Sequence, residues 1–185
     1  MRIGILAVQG AFLEHKKVLE SLGAECVELR QKKDIKDLDG LVLPGGESTV
    51  QGKLLRNLDM FEELKKLIKG GLPTLSTCAG LILLAEEISN DKNVYFGTLP
   101  VKVKRNAYGR QLGSFSKREY VQGIGDFEMK FIRAPYVEDP GEAEVLAKVD
   151  DKIVAVRYEN QIGLAFHPEL GGDDRIHRRF LSLVS

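Results

Sequence analysis

The sequence has no tryptophan, two cysteines, three histidines and no net charge, and each shortage narrows what the chain can do. Two cysteines, Cys26 and Cys78, cannot staple a small secreted domain and fit a reducing compartment, so a cytoplasmic location is expected. The 27 basic residues are matched by 27 acidic ones, so the basic excess that nucleic-acid binding usually needs is missing. No apolar run is long enough to span a bilayer, and residues 3–8 lack the flanks of a signal peptide. Three histidines scattered away from both cysteines make no convincing zinc site, and no metal is expected. His15 and His177 fall in helical patterns, where exposed or capping roles are expected.

What is present reads as one soluble domain over residues 1–185, with 43% apolar and 29% charged residues. Residues 3–8 form a nearly continuous apolar run, as a doubly covered strand would. A helical pattern through Phe12, Val18, Leu19 and Leu22 follows and ends at Gly23. Further strands are expected around Cys26–Leu29, over 41–43 and over 72–77. Helices are expected over 49–69 and 79–87, and the charged segment 32–39 is expected to be exposed. This alternation predicts an α/β fold with a mostly parallel central sheet flanked by helices in three layers. The second half differs, with short strands expected over 94–99, 101–103, 127–132, 145–149, 153–156 and 162–166. Antiparallel strands are therefore expected there, before a closing helix over 173–183.

The chemistry concentrates at two strand ends. Cys78 stands between a strand and a helix, flanked by the small residues Ser76, Ala79 and Gly80. A sharp turn there would project the thiol and aim helix N-terminal amides at the same space. A thiolate would be stabilised by the helix dipole, and a developing oxyanion by the amides. A cysteine at a strand end is also a common small core residue, so the turn alone decides nothing. His167-Pro168-Glu169 follows the strand over 162–166, where parallel-sheet proteins place active sites. Pro168 keeps His167 out of a helix, and Glu169 can approach the imidazole and leave its other nitrogen free to take a thiol proton. Lys102, Lys104, Arg105, Arg110, Lys117 and Arg118 form a locally basic stretch, readable as a solvated face or as anion recognition.

These residues resemble the triad-type (class I) glutamine amidotransferase family, whose fold is flavodoxin-like. Within it, the resemblance is to the glutaminase subunits of pyridoxal 5′-phosphate synthase. It is carried by ILAVQGAFLEH at 5–15, LPGGESTV at 43–50, TCAGLILLA at 77–85, RNAYGRQ at 105–111 and AFHPEL at 165–170. It implies hydrolysis of L-glutamine to glutamate and ammonia through a thioester on Cys78, with His167 as base and Glu169 orienting it. Gly46 and Ala79 would supply the oxyanion-hole amides. Arg105 and Asn106 would hold the amino-acid end of glutamine, with Gly45, Gly46, Glu47 and Ser48 shaping the pocket.

The same resemblance implies no cofactor on this chain. It implies a partner synthase, a (β/α)8 barrel that receives the ammonia and makes pyridoxal phosphate, in a complex of twelve plus twelve subunits. Gln9 and Gly10 would face that partner. Two positions depart from the family pattern: Ser76 replaces a usual glycine in the nucleophile turn, and Gly113 a frequent acidic residue. Three alternatives stay open. One is a glutaminase subunit for another synthase, such as one making imidazole glycerol phosphate. Another is a cysteine hydrolase or chaperone-like protein of related fold, and the third a non-enzymatic assembly module with an inactive pocket.

Overall fold

The opening apolar run folds as β1 (Arg2–Leu6), with Ile3, Ile5 and Leu6 wholly buried, as a strand covered on both faces requires. This is a computed structural model, and it describes residues 1–107 and 113–184. After a turn at Gln9 and Gly10 comes α1 (Phe12–Ser21), closed by Gly23 at a φ of +89°. β2 (Glu25–Leu29) follows, and the charged segment beyond it is only partly exposed, since Ile35 is buried. β3 (Gly40–Leu43) is buried throughout.

The helix expected over 49–69 is two helices, α2 (Ser48–Asn57) and α3 (Phe61–Lys69). Asp59 between them adopts a φ of +58°, which no α-helix tolerates. The Glu47 side chain caps α2 by accepting from the Val50 amide at 2.9 Å. β4 (Thr74–Thr77) and α4 (Ala79–Leu84) come next. The expected helix over 79–87 thus ends early, and its last residues belong to β5 (Ala85–Ile88), which pairs in parallel with β6 (Leu99–Lys104). The strand expected over 94–99 does not form, apart from Leu99 opening β6. Phe96 from that segment is buried instead, stacked on Phe61 at 4.8 Å.

Besides β5, two strands were not expected. β7 (Ser114–Val121) is mostly exposed and so carries no apolar period; it pairs with β8 (Gly125–Ile132), whose Phe127, Met129 and Phe131 alternate inward. The other is β9 (Tyr136–Asp139), a short strand between β6 and β11 (Lys152–Tyr158). β10 (Glu144–Val149), β11 and β12 (Gln161–Leu164) join by antiparallel pairing, as expected for the second half. A 3-10 turn (Pro168–Leu170) and α5 (Arg175–Leu181) complete the described chain.

The main sheet runs β2-β1-β3-β4-β12-β11-β9-β6-β5, with β10 beside β11. Its first five strands are parallel, in the doubly wound order of flavodoxin-like folds. The expected α/β architecture is thus the observed one. Among the described residues, no helix is long and apolar enough to cross a membrane.

Candidate active site

Four neighbouring parallel strands, β1, β3, β4 and β12, end at one edge of the sheet and deliver the predicted residues there. Gln9 and Gly10 follow β1, Gly45 and Gly46 follow β3, Cys78 follows β4 and His167 follows β12. A cleft of about 520 Å³ opens among them, lined by Gly45, Gly46, Glu47, Ser48, Cys78, Ala79, Arg105, Asn106 and His167. That size suits a small-molecule ligand.

Cys78 sits at the tip of a strained elbow, with φ of +51° and ψ of −103°. A non-glycine residue held there costs about 1–3 kcal/mol, sustained by its surroundings. Those surroundings are specific: the Cys78 amide donates to the Leu164 carbonyl at 2.8 Å, locking β4 to β12. Gly80 lies so close to the Leu43 carbonyl that a Cβ would collide with it. The positive φ belongs to Cys78 and not to Ser76, whose backbone needs no glycine. Ser76 is wholly buried and its hydroxyl donates to the Ile162 carbonyl at 3.1 Å. The Cys78 Sγ lies 3.8 Å from the Ile132 carbonyl at the end of β8.

The His167 ring interacts with that thiol and places Nδ1 2.6 Å from Glu169 Oε1. Burial pulls the imidazole pKa down, but the Cys78 and Glu169 contacts outweigh it and raise the pKa to about 10. Glu169 is itself buried, which opposes its charge; His15 and the His167 hydrogen bond nevertheless hold its carboxyl below the ordinary range. β8 braces the histidine, because the His167 amide donates to the Lys130 carbonyl at 2.8 Å. A Cβ on Gly45 would clash with His167 Cε1, so glycine is what lets the ring lie flat against the β3 turn.

Gln9 and Gly10 pack against the same turn. The Ala11 amide donates to the Gly45 carbonyl at 3.0 Å, and the Glu47 amide donates to Gln9 Oε1 at 2.8 Å. Gln51 Nε2 donates to the Gln9 carbonyl at 3.1 Å. Gly10 is exposed, and a side chain there would meet the Gly45 carbonyl. Arg105 crosses the cleft rim, its Nη1 2.7 Å from Asp91 Oδ2 and its Nη2 3.2 Å from Glu47 Oε1. Asn106 beside it takes a φ of +47°.

The basic stretch is not one patch: Lys102 pairs with Glu87 at 3.5 Å, while Arg105 turns to the cleft. Arg110, and the Tyr108–Gln111 part of RNAYGRQ, lie outside the described residues. Gly113 accepts from the Arg133 amide at 2.7 Å. Arg133 and Ile132 also line the cleft and were missed, since β8 and the basic Arg133 carry no motif of their own.

His15 and His177 overturn their expectation. Both are wholly buried, and neither is exposed nor caps a helix. His15 Nδ1 lies 2.9 Å from His177 Nε2, and His15 Nε2 lies 3.4 Å from Glu169 Oε2. The interior faces of α1 and α5 hide them, a placement that helical spacing alone could not distinguish from exposure. Among the described residues, no group of three histidine, cysteine or carboxylate side chains is arranged to hold a metal.

The model of the SNO glutamine amidotransferase family matches residues 5–185. The chain belongs to that family. It is 65% identical over 187 residues to pyridoxal 5′-phosphate synthase subunit PdxT of Desulfitobacterium hafniense (strain DSM 10664 / DCB-2), covering 100% of this chain and 94% of that protein. The Streptococcus pneumoniae (strain CGSP14) protein of the same name is 51% identical, over 99% of this chain and 97% of its own. A solved glutamine amidotransferase superposes with a TM-score of 0.93 at 44% identity, covering 98% of both chains. Family membership thus rests on nearly the whole length.

Proposed function

We propose that this chain is the glutaminase subunit of a pyridoxal 5′-phosphate synthase, hydrolysing L-glutamine and passing ammonia to the synthase subunit. One observation carries the reading: Cys78 stands on a strained elbow in the cleft, beside an imidazole already tied to a buried carboxylate. The relatives' names support the pathway, and glutamine is the substrate class that the family's name points to.

The residues divide the work as follows. His167 takes the Cys78 proton, and the sulfur attacks the side-chain amide carbon of glutamine. The resulting oxyanion accepts hydrogen bonds from the Gly46 and Ala79 amides; Ala79 opens α4, where first-turn amides have no intrahelical acceptor. Collapse breaks the C–N bond, and His167 returns its proton to the departing nitrogen, releasing ammonia. Water then attacks the thioester with His167 as base, freeing glutamate and restoring the thiol. Arg105 and Arg133 supply cations for the substrate's carboxylate, and Asn106, Glu47 and Ser48 line its amino-acid end.

The partner is read as a (β/α)8-barrel synthase in a complex of twelve plus twelve subunits, on the resemblance alone. Gln9 and Gly10 are its contact side. This chain carries no cofactor, since pyridoxal phosphate is the partner's product.

The test is Cys78→Ala assayed for ammonia release with the synthase subunit present. Loss of release with unchanged fold and partner binding is expected. Ordinary glutamine hydrolysis by this variant would sink the mechanism.

A further inference from the structure

The triad does not end at Glu169. Its Oε1 accepts from His167, whereas Oε2 is buried without a hydrogen bond among the described residues. A buried carboxylate oxygen needs a donor, and leaving one bare costs about 1–3 kcal/mol or more. The group facing it is His15 Nε2, at 3.4 Å; the same nitrogen lies 3.3 Å from Thr77 Oγ1. Both separations exceed an ideal hydrogen bond, as resting catalytic networks often do.

The direction of the chain follows from what each atom can be. A carboxylate repels an imidazole lone pair, so a neutral His15 must present Nε2–H and leave Nδ1 as an acceptor. That acceptor lies 2.9 Å from His177 Nε2, which must then be protonated. His177 Nδ1 is left as the bare nitrogen, and it is the buried atom with no partner among the described residues. All four elements, α1, β4, the 3-10 turn and α5, thus converge on one ordered array.

We propose that His15 is a positioning residue for the triad, donating Nε2–H to Glu169 Oε2 while His177 fixes its tautomer. Glu169 is then held from both sides, ionised and aimed at His167. The charges around the array fit this assignment. His15 is surrounded by Glu169, His167, Glu14 and His177, and burial dominates among them to lower its pKa. His177, facing His15, Glu169 and Asp174, is lowered by burial to about 3. Burial thus disfavours a second proton on either ring, the direction that single-proton donors require.

This inference rests on the glutaminase reading, and its test separates the two. His15→Leu and His15→Gln are compared with the unsubstituted chain in glutamine hydrolysis, with the synthase subunit added. His15→Leu is expected to lower kcat about 10- to 100-fold and leave KM within about threefold. It should also move the acid limb of the pH profile upward, because Glu169 without its second donor protonates at higher pH. His15→Gln, whose amide keeps an N–H, is expected to recover most of the rate and the original limb. A wild-type kcat and pH profile for His15→Leu would overturn the proposal, as would equal losses in two folded variants. If His15→Leu does not fold, imidazole ¹⁵N spectra of the unsubstituted chain decide. Neutral Nε2–H forms of His15 and His177 at about pH 7.5 support it; an Nδ1–H or doubly protonated His15 there overturns it. Should the unsubstituted chain release no ammonia with its partner, the glutaminase reading fails while the spectra still report on the array.

Discussion

At the scale of single residues, the cleft depends on atoms that are missing. Gly45 has no side chain, and that absence is what admits the His167 ring against the β3 turn. Gly45→Ala would drive a methyl into Cε1 and tilt Nε2 away from the thiol. A misplacement of about 1 Å costs about 100-fold in rate, so a kcat loss of at least that order is expected. Steady-state ammonia release, with Tm measured in parallel, checks it; a Tm near that of the parent with full activity would contradict the steric argument. Ser76 gives the opposite lesson. A residue that looks foreign to the turn is accommodated because the unusual dihedral falls two positions later, on Cys78. Cysteine and the His-Pro-Glu run were readable because their chemistry is local. His15 and His177 were misread because helical spacing says which side a residue occupies, not which side is buried.

At the scale of elements, α1 and α5 meet through two neutral histidines, and this sets an acid limit on the fold. The unfolded chain takes up protons on these rings near pH 6.5, whereas His177 in the folded chain stays neutral to about pH 3. Below pH 6.5 the unfolded state therefore binds more protons at this site, so the stability that a neutral His177 contributes is fully present above that value and falls as pH drops towards about 3. Replacing His177 with Gln removes one of the titrating groups. The slope of urea-unfolding free energy against pH should flatten between about pH 6 and 4 in that variant; an unchanged slope would place the acid sensitivity elsewhere. Elements that repeat an apolar period, such as α1 with Phe12, Val18 and Leu19, were legible in the sequence. β7 was not, because its mostly exposed strand pairs through its backbone and offers no apolar alternation. The break between α2 and α3 was hidden too, since Asp59 is an unremarkable residue until its φ is known.

At the scale of the whole molecule, the surface around Gln9 and Gly10 and the catalytic turn are one piece of structure. Gly10 abuts the Gly45 carbonyl, and Gln9 holds the Glu47 amide. A partner seated on that loop presses on the cleft directly. Hydrolysis by the isolated chain is therefore expected to be slow, with at least about a tenfold rise when the synthase subunit saturates it, a bias of about 1.4 kcal/mol. Titrating the synthase into a fixed amount of chain and following ammonia release tests this. Neither binding nor stimulation would contradict the proposed partnership. The parallel half of the sheet was foreseeable from alternating strand and helix patterns. The order of the antiparallel half was not, because β6, β9 and β11 are brought together by long-range pairing that short apolar runs do not encode.

The position of β12 has a consequence for how the protein is made. This strand lies between β4 and β11, yet among the described strands it is the last to be synthesised. Until it emerges, both neighbours carry an unpaired edge in what will become the middle of the sheet. The nucleophile is also present well before its base, because His167 arrives on the heels of that strand. A growing chain therefore holds an unarmed thiol, and closing the central gap in the sheet and arming the enzyme are the same late event of biosynthesis.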